Sequence, residues 1–262
     1  MRAHHRQSVG LQLSVCFVGR NHMKSCDFPL FFLIFSSENL YCAHLGVSMR
    51  NVFWGLFWII FQTTAFSASS LSLFNGKDLQ GWINTKTKEP AAWKVEGDTV
   101  QVIPGMGDIQ TVAEFEDFDL HAEFWIPYLP EKTGQDRGNS GIFLQGRYEI
   151  QILDSWNNPT YLDGTCGSLY KLIPPLANMS LPPENWQTYD IQFRSPRLNE
   201  SGQVTEKGEV TVVHNGQLVI ERGLFERGTG SAGKMKQGIP GPIRLQDHGS
   251  AVRFRNLVIT PR

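Results

Sequence analysis

The chain is poor in the features that define several large protein classes. Of its 262 residues only four are cysteine, and three of them (Cys16, Cys26, Cys42) fall in the first 48. Cys166 stands alone in the rest, so no internal disulfide can staple that part and a hydrophobic core must hold it. Roughly 190 residues are enough to build such a core. No basic stripe is present: from residue 69 onward 19 Lys and Arg face 23 Asp and Glu, which argues against nucleic acid as a partner. No apolar run reaches the ~20 residues that cross a bilayer. There is no internal repeat and no stretch of sustained 3.6-residue periodicity, which leaves little room for a helical architecture.

What is present begins with Met49-Arg50-Asn51, followed by ten apolar residues, Val52–Phe61, and by polar and small residues from Gln62 to Ser70. A basic start, a short apolar middle and a small-residue exit describe a secretory signal peptide. It is expected over 49–68 and implies an exported protein, periplasmic or extracellular. If the signal stays uncleaved it anchors the chain, and that is the only membrane association expected. Because a signal belongs at a true N-terminus, Met49 is the expected start. Residues 1–48 have no sustained pattern beyond the short apolar patch Leu30–Phe35 and are expected to be an upstream extension or disordered, not a domain.

Residues 69–262 read as all-β. Phe118–Ile126 alternates through nine residues, with Phe118, Leu120, Ala122, Phe124 and Ile126 on one face. Gly141–Gln145 and Arg147–Leu153 form a pair broken at Gly146, and Gln187–Phe193 alternates again. Glu209–His214 and Gln217–Ile220 flank Asn215-Gly216, the strongest two-residue hairpin signal. The last strand, Ala251–Ile259, puts Val252, Phe254 and Val258 on one face. Ten to thirteen short strands without helices mean a sandwich or a barrel. Two loops are long, Pro127–Asn139 and Asn157–Pro183, and long loops in compact domains are usually functional or disordered. The second carries Tyr161, Tyr170 and Lys171, as a rim over a binding face would.

Two motifs carry the chemistry. Tyr148–Asp154 alternates an apolar set (Tyr148, Ile150, Ile152) with a polar one (Glu149, Gln151), so one strand face feeds a core and the other displays a carboxylate beside a carboxamide. About 90 residues later comes Gln246-Asp247-His248-Gly249. Five tryptophans (Trp82, Trp93, Trp125, Trp156, Trp186) add aromatic faces of the kind that stack on sugars.

These residues carry a resemblance. Leu73-Phe74-Asn75-Gly76-Lys77-Asp78-Leu79-Gln80-Gly81-Trp82 resembles the opening of the 3-keto-disaccharide hydrolase domain, and Trp93–Gly97, Gly138–Phe143, Tyr148–Asp154, Gly241–Gly249 and Val252–Leu257 follow in the family's order. The likeness spans roughly 72–262. It implies a concanavalin A-like jelly roll of two antiparallel sheets and exported enzymes acting on glycosides oxidised at C3. It also implies cleavage by elimination and rehydration, with a divalent metal in some members.

Such chemistry needs a base near neutral pKa, a stabiliser for the enolate oxygen and a proton donor for the leaving oxygen. His248 is the first candidate for base or metal ligand, since its charge changes nearest physiological pH. Glu149 and Asp154 are candidates to bind a metal or shuttle protons. Gln151, Asn139, Gln246 and Tyr170 are expected to hold the carbohydrate, and Arg147 or Lys171 to stabilise the oxyanion. Asp247 alternatively caps the turn that Gly249 permits. Asp119, His121 and Glu123 share one strand face, more simply a solvated one than a metal site. Two other functions fit the fold. One is a retaining glucanase using Glu149 and Asp154, which needs a bulge because those positions face opposite sides. The other is a lectin-like binding module, since fold does not fix function.

Overall fold

Alternation on paper becomes alternation in burial along Phe118–Trp125, where every second residue is buried and those between are half-exposed. The computed structural model describes residues 69–262, so the expectations for 1–48 and 49–68 lie outside the described residues. Eight strands form one antiparallel sheet: β1 (Leu71–Ser72), β3 (Lys94–Glu96), β4 (Thr99–Gln101), β6 (Phe118–Trp125), β9 (Trp186–Arg194), β12 (Gly208–His214), β13 (Gln217–Phe225) and β15 (Arg253–Pro261). Their order is β13-β12-β9-β6-β15-β4-β3, with β1 also against β15. The second sheet has the order β2 (Trp82–Asn84), β5 (Ile109–Thr111), β14 (Arg244–Leu245), β7 (Ser140–Leu144) and β8 (Tyr148–Ile152). A ribbon of β10 (Arg197–Leu198) and β11 (Val204–Glu206) stands apart, and among the described residues helix is confined to three short 3-10 turns. The fold is the expected all-β jelly-roll sandwich of antiparallel sheets.

The core lies between the two larger sheets. Leu120 and Phe124 of β6 and Ile191 of β9 join Ile142 and Leu144 of β7 and Ile150 and Ile152 of β8 in one buried cluster. Tyr148 of β8 spans the layers, its ring 5.3 Å from Phe193 and 4.7 Å from Phe225. Cys166 is buried with its Sγ 3.0 Å from the Tyr189 hydroxyl, a packing residue. Asn215 and Gly216 take φ of 50° and 78° in the β12–β13 hairpin, the left-handed pair such a turn requires.

One strand departs from its expected phase. Val252 and Phe254 are buried, but Val258 is only half-buried and Leu257 and Ile259 take the inward positions. The β15–β6 register shifts between Arg255 and Val258, where Asn256 adopts φ 48°. The extra residue of this bulge exchanges the two faces of everything after it.

Candidate active site

The site is built from the side chains that β7, β8 and β14 do not give to the core. Phe143 on β7 sits opposite both Glu149 on β8 and Arg244 on β14, so Arg244, Phe143 and Glu149 form one row across three strands. In the next row Gly141 lies opposite Gln151, and the Gln246 N–H donates to the Gly141 carbonyl (3.0 Å). Ile243 and Leu245 are buried in the core, so the parity of β14 sends Arg244 and Gln246 outward together.

This face floors a pocket of about 240 Å³. Asp108 and His248 stand on one side of it, Tyr170 and Thr229–Ser231 on the other, with Asn139 beside Gln151. The walls are tied to β8 through the backbone. The Glu149 N–H donates to Thr229 Oγ1 (3.0 Å), and the Tyr170 N–H donates to the Glu149 carbonyl (3.0 Å). Gln151 Nε2 donates to Asn139 Oδ1 (3.0 Å), whose own amide donates to the Gln135 carbonyl (2.7 Å).

The electrostatics are uneven. Burial pushes the Glu149 carboxyl up to about 8, against a downward pull from Arg244 and with a further push from Asp108. Arg244 lies over the Phe143 ring at 3.6 Å and its Nη1 is 3.7 Å from Asp108 Oδ2. Burial lowers its pKa too, but a guanidinium keeps its charge throughout the working pH range. Tyr170 is pushed up to about 12 by burial and by its 2.9 Å hydrogen bond to the Tyr161 hydroxyl, so it stays a neutral phenol. Arg244 Nε and Gln246 Oε1 are buried with no hydrogen-bond partner among the described residues. An unsatisfied buried polar group costs ~1–3 kcal/mol, which a ligand presenting an acceptor and a hydroxyl would relieve. At neutral pH the pocket thus offers a protonated carboxyl beside a fixed cation.

The 3-keto-alpha-glucoside-1,2-lyase-like domain family matches residues 69–260. The chain belongs to this family. A crystal structure from Parabacteroides distasonis ATCC 8503, provisionally named a glycosyl hydrolase, is 40% identical with a TM-score of 0.70, over 74% of this chain and 84% of that one. Two further structures from that organism with the same provisional name are 22% and 20% identical, with TM-scores of 0.55 and 0.53. Each covers 74% of this chain, and 94% and 100% of the other, and they show the fold alone. No curated protein matches the chain. Family and 40%-identical neighbour together make this a carbohydrate-active domain.

In this 3-keto-alpha-glucoside-1,2-lyase-like domain the structure brings together Glu149, Gln151, Asn139, Gln246, Tyr170 and His248, the last on the exposed rim. Three expected site residues lie elsewhere. Asp154 follows the end of β8, where its carboxylate pairs with Arg137 (Nε–Oδ2 2.9 Å) and accepts from the Trp156 N–H (3.2 Å). It holds a loop and is not paired with Glu149, which removes the geometric basis for a glucanase-type carboxylate pair. Arg147 is consumed by Gln145 Oε1 (3.1 Å) and the carbonyls of Ile239 (2.8 Å) and Pro240 (3.1 Å). Lys171 lies over the Tyr161 ring at 3.1 Å, with Asp163 at 3.8 Å. The cation at the pocket is Arg244 instead.

Asp247 accepts from the amides of Gly105 (2.7 Å), Gly107 (2.9 Å) and Gly249 (3.0 Å), so it caps its turn and also pins a distant loop. The tryptophans serve the scaffold. Trp82 and Trp93 are core, Trp125 and Trp186 lie under Arg253 and Arg255, and Trp156 is exposed away from the pocket. Arg244 was legible in principle from the parity of Ile243–Gln246. Asp108 and Thr229–Ser231 carry no local signal, because they reach the pocket only through long-range pairing.

The donor set does not fit a divalent cation. Among the described residues no three His, Cys, Asp or Glu side chains are grouped to hold a metal. Of the expected ligands, Asp154 is taken by Arg137, and Glu149 retains its proton near neutrality and faces Arg244, whose positive charge opposes a second cation. On the outer face of the large sheet His121 Nδ1 is 2.7 Å from Asp190, and Glu123 pairs with Arg255 at 2.7 Å, an ion-pair network at the surface.

Proposed function

We propose that the domain cleaves the glycosidic bond of 3-keto-glycosides, 3-keto-disaccharides among them, by elimination and rehydration. The observation that supports this most is a buried carboxyl, Glu149, poised near neutral pH beside the Arg244 guanidinium in a polar pocket. A ketone at C3 acidifies the proton on C2. In this reading His248 takes that proton, and Arg244 stabilises the enolate oxygen at C3. As the C1–O bond breaks and C1=C2 forms, Glu149 gives its proton to the departing oxygen. Water then adds to C1 of the enone, losing its proton to the Glu149 carboxylate, while the solvent-exposed His248, its proton exchanged with bulk water, protonates C2. Gln151, Asn139, Gln246 and Tyr170 hold sugar hydroxyls, and Asp108 fixes the guanidinium. Loss of an acid–base group costs ~10²–10⁴-fold, and loss of an oxyanion donor ~10²–10³-fold.

The test is incubation of the purified protein with a 3-keto-disaccharide and with its unoxidised parent, followed by NMR in deuterated water. Cleavage of the keto-sugar alone, with deuterium at C2, is the expected result. Cleavage of the parent would mean direct hydrolysis of ordinary glycosides, and binding without turnover would mean a sugar-binding module. Export belongs to the proposal as well and rests on the signal-like segment 49–68; sequencing the N-terminus of the mature protein checks it.

A further inference from the structure

Glu149 reaches the pocket by lying across a neighbour that has no side chain. Gly141 stands mid-strand in β7, and a methyl group on its Cα would meet Glu149 Oε1 at 2.6 Å, Cγ at 3.0 Å and Cδ at 3.2 Å. Its three nearest neighbours are therefore atoms of that one side chain. Separations below about 3.5 Å to carbon are repulsive. The backbone does not require glycine here, since Gly141 is outside the left-handed region. Glycine inside a strand weakens it and commonly marks a close approach. Here the approaching group is the carboxyl at the centre of the site.

We propose that Gly141 is a positioning residue: its missing Cβ is the seat on which the Glu149 carboxyl rests, fixing where that carboxyl meets the substrate. The catalytic consequence rests on the function proposed above; the seat itself does not. The row beyond explains the direction of any displacement. Phe143 stands opposite Glu149 and carries the Arg244 guanidinium over its ring, so a filled seat swings the carboxyl up over that ring, toward the pocket mouth and the guanidinium. Both changes favour its ionised form, because the burial that raises its proton affinity is lost and the opposite charge is nearer.

The variant Gly141→Ala tests this through a titration as well as a rate. The Glu149 carboxyl is followed by ¹³C NMR, its signal assigned by its absence in Glu149→Gln, alongside kcat/KM against pH. The expected result is a folded variant in which Glu149 titrates about one pH unit lower or more. The alkaline limb of the rate profile moves with it, and kcat falls about tenfold from the misplaced group. An unchanged titration and an unchanged profile would overturn the proposal. If the wild type cleaves no keto-sugar but the titration still moves, the seat stands and the function fails; cleavage with an unmoved titration means the reverse. Stability closes the remaining gap. Gly141→Ala should be tolerated better when Glu149 is also alanine, and an equal loss or failure to fold in both backgrounds would overturn the seat.

Discussion

A carboxyl buried on a sheet face ties stability and reactivity to the same proton. Below about pH 4.5 Glu149 is protonated in both folded and unfolded chains. As pH rises toward 8 the unfolded chain has released that proton and the folded one keeps it, so stability falls across this window. Glu149→Gln is therefore expected to lower turnover at least ~10²-fold yet raise stability at pH 7 by on the order of 3 kcal/mol. The gain should vanish below about pH 4.5 in urea titrations. Removing the neighbouring charge should act oppositely to filling the Gly141 seat. Arg244→Met deletes the pull that lowers the Glu149 pKa, so the alkaline limb of kcat/KM is expected to move upward. The rate should fall ~10²–10³-fold as the oxyanion donor is lost. A limb that stays in place would show that Glu149 does not govern it.

Elements matter here through parity and edges. The β15 bulge hangs on one exposed residue, Asn256, at φ 48°, whose amide donates to Glu123 Oε1 (3.0 Å). Asn256→Val puts a β-branched side chain where it is strained and is expected to cost ~1–3 kcal/mol by chemical denaturation, while Asn256→Gly should cost less. Equal losses would assign the whole effect to the Glu123 bond. The Asn157–Pro183 segment was legible as a rim, and Tyr170 does line the pocket. It has a second task that its composition does not announce. The Gln151 N–H donates to the Ser168 carbonyl and the Gly167 N–H to the Gln151 carbonyl, both at 3.0 Å, so the segment also covers the outer edge of β8. Composition marks a long loop, but only docking shows which backbone groups it satisfies.

Across the whole molecule two buried titratable groups oppose each other. His214 lies beneath Tyr189 and Phe124, with Nε2 3.0 Å from Gln187 Oε1, and burial lowers its pKa to about 4. Between about pH 6.5 and 4 the unfolded chain binds a proton there that the folded chain refuses, so stability falls as pH drops. Glu149 has the opposite slope between about 4.5 and 8. The two contributions cancel from about pH 4.5 to 6.5 and leave a decline from about 6.5 to 8. Thermal unfolding at pH 5, 6.5 and 8 should give two similar midpoints and one lower one. In Glu149→Gln the value at pH 8 should recover, and a midpoint at pH 8 unchanged by that substitution would contradict the assignment.

The all-β class, the outward display of Glu149 and Gln151, the Asn215-Gly216 turn and the ordered motifs of the family can all be read from the order of residues. All of these depend on side-chain parity or turn chemistry, which neighbours along the chain decide. Tertiary structure alone decided that Arg244, not Arg147 or Lys171, is the pocket's cation, that Asp154 belongs to Arg137, and that Asp108 and Thr229–Ser231 complete the walls. Those outcomes depend on which strands pair, and a single inserted residue such as Asn256 reverses a face without leaving a mark in the local pattern. Pairing between segments some hundred residues apart is settled by the burial of a shared core, and that is a property of the folded whole.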